Sequence, residues 1–101
     1  MIIYNITLSI NPEIEKEAIE WLTHIHIPEV MQTNLFISYN IYKIIENPME
    51  RTHNSYAIQY TLASWLNFEK YSQNHAFSLQ EKTRKKFGEN ILAFRTFLEK
   101  I

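Results

Sequence analysis

Strict two-residue alternation occurs twice in this chain and constrains its fold more than any other feature. Residues 2–10 set Ile2, Tyr4, Ile6, Leu8 and Ile10 against Ile3, Asn5, Thr7 and Ser9; from Ser55, Tyr56, Ile58, Tyr60 and Leu62 alternate with Ala57, Gln59 and Thr61. Side chains alternate across a strand, so each stretch is a strand with one apolar face to bury. Two more strands are predicted at residues 35–46, LFISYNIYKIIE, and 90–100, NILAFRTFLEK, the former apolar on both faces. A polar tract at 47–54 is expected to turn the second strand into the third as a hairpin.

Two helical stretches supply the cover. Asn11 is placed to cap the first, with Pro12 at its first position and Glu13 and Glu15 where negative charge suits the helix dipole. Ile14, Ala18, Trp21, Leu22 and Ile25 then fall on one stripe, Trp21 pointing inward. Ile27 precedes Pro28, which biases it out of the α region, so this helix is expected to end or kink near His26. Ser64 is placed to cap the second helix, carrying Trp65, Phe68 and Tyr71. The pattern restarts around Asn74 and runs through Leu79, Thr83 and Phe87 to Gly88, the chain's only glycine, at a C-cap position.

The order β-α-β-β-α-β predicts one α+β, ferredoxin-like domain over residues 1–101: a four-stranded antiparallel sheet, order 4-1-3-2, with two helices on one face. Its other face is left bare, with Ile, Phe, Tyr and Leu on both faces of strands two and four. Such a face is expected to meet a second copy, giving a homodimer.

Composition excludes several functions. Ten Lys plus Arg against eleven Asp plus Glu leave a net charge of -1, with no overall pull toward nucleic acid or anionic membrane. Without cysteine there is no disulfide, thiolate metal site or cysteine nucleophile. The start MIIYNITLSI lacks the basic opening and unbroken apolar run of a signal peptide, and no segment approaches the ~20 apolar residues of a membrane span. A soluble, cytoplasmic protein is the simplest reading. No phosphate loop, serine elbow, metal-binding helix motif or RNA-binding glycine-aromatic pattern is present.

The candidate chemistry is therefore carried by single residues. His24 and His26 point about 200° apart on a helix at ~100° per residue, so no shared metal is expected. His24 is expected at the surface, paired with Glu20. His26 lies at the edge of the apolar stripe, either as a helix-end histidine favoured by the dipole or as a polar group at a pocket mouth. Asn5, Gln59 and Arg95 fall on strands one, three and four, which the topology makes neighbours, and Asn40 extends the row. Such a row is either a satisfied network between two sheets or the lining of a cleft under the helices. In a cleft, the arginine could bind a carboxylate or enolate and the amides could orient it. His75, at the break in the second helix, is a cap or surface histidine, or a general base for a substrate within reach. The topology is expected to bring His26 beside Trp65 rather than His75.

The run W-x-x-x-x-H-I-P-E-V at Trp21 to Val30, the pair Gln59-Tyr60 and the run AFRT at Ala93 to Thr96 resemble a domain-of-unknown-function family within the dimeric α/β-barrel superfamily. That superfamily includes cofactor-free monooxygenases of antibiotic biosynthesis, haem-degrading monooxygenases, ligand-binding stress proteins and lactone isomerases, generally homodimers whose sheets close a barrel. The residues themselves point first to a homodimeric small-molecule-binding domain that takes a small anionic or aromatic ligand in a cleft under the helices, with Asn5, His26, Gln59 and Arg95 as ligand contacts. The alternatives are a cofactor-free monooxygenase or isomerase acting on a small acidic or aromatic substrate, with His26 or His75 as base, and a purely structural homodimer. The haem-degrading branch uses an Asn on strand one with a Trp and a His ten residues apart on helix two, a separation matched by Asn5, Trp65 and His75. Here, however, Trp65 opens the helix, about two turns before that branch's Trp, near the position of Tyr71. The expectation is accordingly no cofactor.

Overall fold

The helical layer begins where the sequence places it. In the computed structural model, which describes residues 1–45 and 54–101, the Asn11 side chain accepts a hydrogen bond from the Glu13 amide at 3.0 Å. Pro12 opens a 3₁₀ turn that leads into the first helix. The hairpin turn expected at 47–54 lies outside the described residues except for Asn54, which opens a strand.

The elements are β1 (Ile2–Ile10), α1 (Glu15–Trp21), α2 (Ile27–Met31), β2 (Ser38–Lys43), β3 (Asn54–Leu62), α3 (Trp65–Asn74), α4 (Ala76–Phe87) and β4 (Ile91–Glu99). The four strands form one antiparallel sheet in the order β2-β3-β1-β4, the α+β, ferredoxin-like arrangement. Tyr4, Ile6, Leu8 and Ile10 of β1 and Ile58, Tyr60 and Leu62 of β3 are buried in one core with Ala18, Leu22, Ile27 and Val30 of the first helical segment. Each fully buried aliphatic side chain stabilises the fold by about 1.5–3 kcal/mol. Among the described residues, no helix is long and apolar enough to cross a membrane.

The first helix does not end at the proline. Residues Leu22–His26 widen into a π turn, Ile27 keeps α geometry (φ -59, ψ -45) and its amide donates to the Leu22 carbonyl, five residues back. Pro28 brings no N–H and its ring crowds the carbonyl four residues earlier; a wider turn ahead of it makes room and lets the helix continue. The extra residue in the turn resets the inward stripe. Leu22 is followed in the core by Ile27, while Ile25, expected inside, is 47% exposed. His26 comes round under Trp21, their rings 5.5 Å apart and inclined by only 20°.

β2 is shorter than residues 35–46 suggested. Asn34 takes a left-handed conformation (φ 61), and Phe36 leaves the strand direction to pack against Tyr60 (5.1 Å) and Tyr71 (4.9 Å). The second helix breaks at His75 (φ -132), as anticipated, and Ser64 caps its start through the Asn67 amide at 3.2 Å. Gly88 ends α4 with φ +55, a conformation that side chains other than glycine's adopt at a cost.

α4 runs antiparallel to the first helical segment, with Lys86 near Glu17 (3.8 Å) and Lys82 on Glu29 (2.6 Å). This pairing sets His26 opposite Thr83 of α4. The expected neighbour, Trp65, instead packs edge-on against Phe97 of β4 at 4.9 Å. His26 lies in the middle of a longer helix rather than at its end, which explains the difference.

Candidate functional site

Between the helices and the sheet lies a cavity of about 330 Å³. Its walls are apolar where the strands supply them, with Ile6 and Leu8 from β1, Ile58 from β3 and Ile91 from β4. Polar groups enter from two sides: His26 with Gln80, Glu81, Thr83 and Arg84 on the helical side, and Arg95 from β4. An apolar enclosure with a few converging polar groups is the usual form of a small-molecule site, and this volume is at the small end of the range.

His26 is held here by the π turn and by its stack on Trp21, with Nδ1 3.5 Å from Thr83 Oγ1. Burial pushes its pKa down to about 4; the Glu29 charge opposes this, and the Arg95 and Lys82 charges reinforce it. The imidazole is therefore neutral near neutral pH. Arg95 faces Ile6 across the β1–β4 ladder and so shares the covered face of the sheet. Its guanidinium lies beside Tyr4, whose pKa burial raises and the arginine partly restores. Among the described residues the ion pairs are Lys43–Glu15, Lys82–Glu29, Arg84–Glu81 and Lys86–Glu17, none of which involves Arg95.

Asn5 and Gln59 are elsewhere. They face each other across β1 and β3 on the open side of the sheet, and Asn40 beyond Gln59 and Thr96 beyond Asn5 complete a polar row over all four strands. Arg95 does not belong to that row: its neighbour Thr96 takes the place, and Phe94 points to the open side. One residue of parity on β4 makes the difference, since a one-residue shift exchanges the faces of a strand. Of the four residues read as ligand contacts, the structure thus brings together His26 and Arg95 and sets Asn5 and Gln59 on the opposite face. Asn5 is only 8% exposed. It donates from Nδ2 to Thr7 and Thr96 hydroxyls at 3.2 Å each, while its Oδ1 has no hydrogen-bond partner among the described residues.

His75 opens to a different, largely polar hollow of about 300 Å³ that it shares with Glu29, Thr33 and Ser78. Its ring lies over Tyr71 at 6.4 Å. His24 is exposed and donates from Nδ1 to the Glu20 backbone carbonyl at 2.8 Å, rather than to the carboxylate expected. Asn5, Trp65 and His75 share no cavity: Asn5 is on the open face, and Trp65 packs on Phe97 on the covered one.

Sequence reasoning missed the α4 side of the cavity. Gln80, Glu81, Thr83 and Arg84 were legible as a helix face, but the basic run 82–86 reads as solvated. The basic residues of that run are exposed as read, and Arg84 also makes two parallel bonds to Glu81, at 2.8 and 2.7 Å, in a pair that lines the cavity. The i, i+3 spacing was the available signal. Also missed was a polar latch outside the cavity, in which Glu15 of α1 accepts from Asn54 (2.6 Å) and Tyr56 (2.5 Å) of β3. Burial, helped by that bond and charge, pushes the Tyr56 pKa up to about 12.

No curated protein matches this chain. Among solved structures it is similar to an ethyl tert-butyl ether d (ethd) family protein from Bacillus halodurans, at TM-score 0.72 and 17% identity over 100% of both chains. A candidate antibiotic biosynthesis monooxygenase from Deinococcus radiodurans aligns at TM-score 0.68 and 16% identity, over 99% of this chain and 92% of that one. A dimeric ferredoxin-like protein from an uncultured marine organism aligns at TM-score 0.59 and 12% identity, over 100% and 93%. At such identities the likeness is one of fold. The model of the domain of unknown function DUF4286 matches residues 1–101, and the chain belongs to that family.

Proposed function

We propose that this chain is a homodimeric small-molecule-binding domain whose cavity takes a small organic anion. The observation that carries this reading is Arg95, a guanidinium among apolar strand side chains at the cavity, with no carboxylate partner among the described residues. A planar guanidinium favours a carboxylate through paired, charge-assisted hydrogen bonds. Neutral His26 and Thr83 on the opposite wall offer further hydrogen bonds without adding charge. The open sheet face supports the dimer, with Phe94 62% and Leu92 52% exposed on it, and so does the dimeric state named for a similar structure.

The test is titration with benzoate, read by tryptophan emission, since Trp21 lies on His26. The wild type is expected to respond, and Arg95→Ala to weaken binding by at least about tenfold, the loss of roughly one charge-assisted bond pair. Native mass spectrometry of freshly purified protein reports assembly and any retained compound together. Benzoate binding unaffected by Arg95→Ala would sink this reading.

A second reading has one observation in its favour. His26 is unprotonated near neutral pH and lies at the cavity, so a cofactor-free monooxygenase or isomerase could use it to abstract a proton. A group with pKa about 4 is a weak base, however, and this places binding ahead of catalysis. His26-dependent uptake of solvent deuterium by an acidic C–H substrate would reverse that order.

A further inference from the structure

We infer that the cavity selects small monocarboxylates over dicarboxylates, and that Glu81 sets this preference by neutralising Arg84. The inference rests on the anion-binding reading above and names the charge of its ligand. It follows from a charge count over every wall of the cavity. β1 and β3 contribute only apolar side chains, Ile6, Leu8 and Ile58. The first helical segment contributes Leu22 and His26, and burial keeps His26 neutral near neutral pH. α4 contributes Glu81 and Arg84, whose charges cancel in a two-bond pair of 2.8 and 2.7 Å. β4 contributes Arg95. One positive charge is left over, which matches one carboxylate.

A second carboxylate on the same ligand has no free cation to meet. It must either displace Glu81 from Arg84, leaving the Glu81 carboxylate near the ligand's own, or stay without an ion pair beside the Glu81 charge, and both cost binding energy. Phe77 indicates the rest of the ligand. It lines the cavity on α4 while remaining 78% exposed, an aromatic surface suited to the apolar body of an acid whose head group lies at Arg95.

The experiment compares terephthalate with its monomethyl ester at about pH 7, where carboxyl groups of ordinary pKa are ionised. The two share one ring and differ by one charge. The wild type is expected to bind the ester at least about tenfold more tightly than the diacid. Glu81→Gln frees Arg84, so the ratio should shift toward the diacid by about tenfold or more. Glu69→Gln makes the same charge change at an exposed position of α3, outside the cavity lining, and should leave the ratio unchanged. Equal affinities in the wild type would overturn the inference, as would a ratio unmoved by Glu81→Gln or moved equally by Glu69→Gln. In those cases binding that still depends on Arg95 keeps the anion site standing. If neither probe binds, or both bind independently of Arg95, the site itself fails and the charge rule with it.

Discussion

The two faces of the sheet are made by the same four strands, yet they settle their polar groups differently. On the covered face, Tyr4, Ile58 and Tyr60 are buried under the helices, and the cavity with His26 and Arg95 lies among them. On the open face, the row Asn40, Gln59, Asn5 and Thr96 runs between exposed Phe94, Leu92 and Leu98. Each face also holds one buried polar atom without a hydrogen-bond partner among the described residues: the Tyr60 hydroxyl on the covered side, Asn5 Oδ1 on the open side. The first is sealed within the chain. The second lies just under a surface that another molecule can cover. The difference accords with the proposal that a ligand binds under the covered face and a second copy meets the open one.

The largest expected effect breaks that division at the open face. Phe94→Asp places a charge where a second copy would bury an aromatic ring, and an uncompensated buried charge costs several kcal/mol. The dimer dissociation constant should rise by about a hundredfold or more, seen as a monomer by light scattering on a sizing column. Benzoate should still bind, because the cavity lies on the other face. A dimer that survives Phe94→Asp would place the interface elsewhere.

Next in size is the pH dependence built into the covered face. The His26 pKa is about 4 in the folded chain against an ordinary 6.5, so between these values the unfolded state binds the proton that the folded state refuses. Stability is then full above about pH 6.5 and falls as the pH drops toward 4, by about 3 kcal/mol in all from this group. Denaturant melts of wild type and His26→Gln at both ends of the window measure it. The variant should lose most of the slope, and an unchanged slope would mean that His26 is better solvated than its stack on Trp21 and its place at the cavity suggest.

How much of this the sequence disclosed follows from how periodicity works. β1 and β3 alternate strictly, so their faces were legible residue by residue, as were the caps at Asn11, Ser64 and Gly88, each set by local chemistry. β4 carries Leu92, Phe94 and Leu98 on one face and Ile91, Ala93 and Phe97 on the other. With apolar groups on both sides its parity cannot be read, and Arg95 was placed in the wrong row. The proline rule pointed to an end or kink near His26; the irregularity is there, as a π turn over Leu22–His26, but tertiary packing of Ile27 and Val30 kept the helix going past Pro28. His26 could be suspected from its place on the stripe, but its meeting with Arg95 depends on contacts distant in sequence, which no local pattern records.

The smallest effect tests the two orphan polar atoms against each other. Tyr60→Phe removes a hydroxyl that is wholly buried and unpartnered among the described residues, while keeping the ring against Phe36 and Tyr4. Burial also raises the Tyr60 pKa, so the group stays a neutral phenol and no charge is lost with it. Deleting an unsatisfied buried group while keeping its shape should stabilise the fold by about 1 kcal/mol, against the usual direction of core substitutions. Asn5→Ala removes the open-face orphan together with the bonds to Thr7 and Thr96, and it should weaken the dimer more than the fold. A Tyr60→Phe protein that is less stable than wild type would mean the hydroxyl is satisfied inside the core. The covered face would then carry no cost of its own, and unmet polar demand would belong to the open face alone.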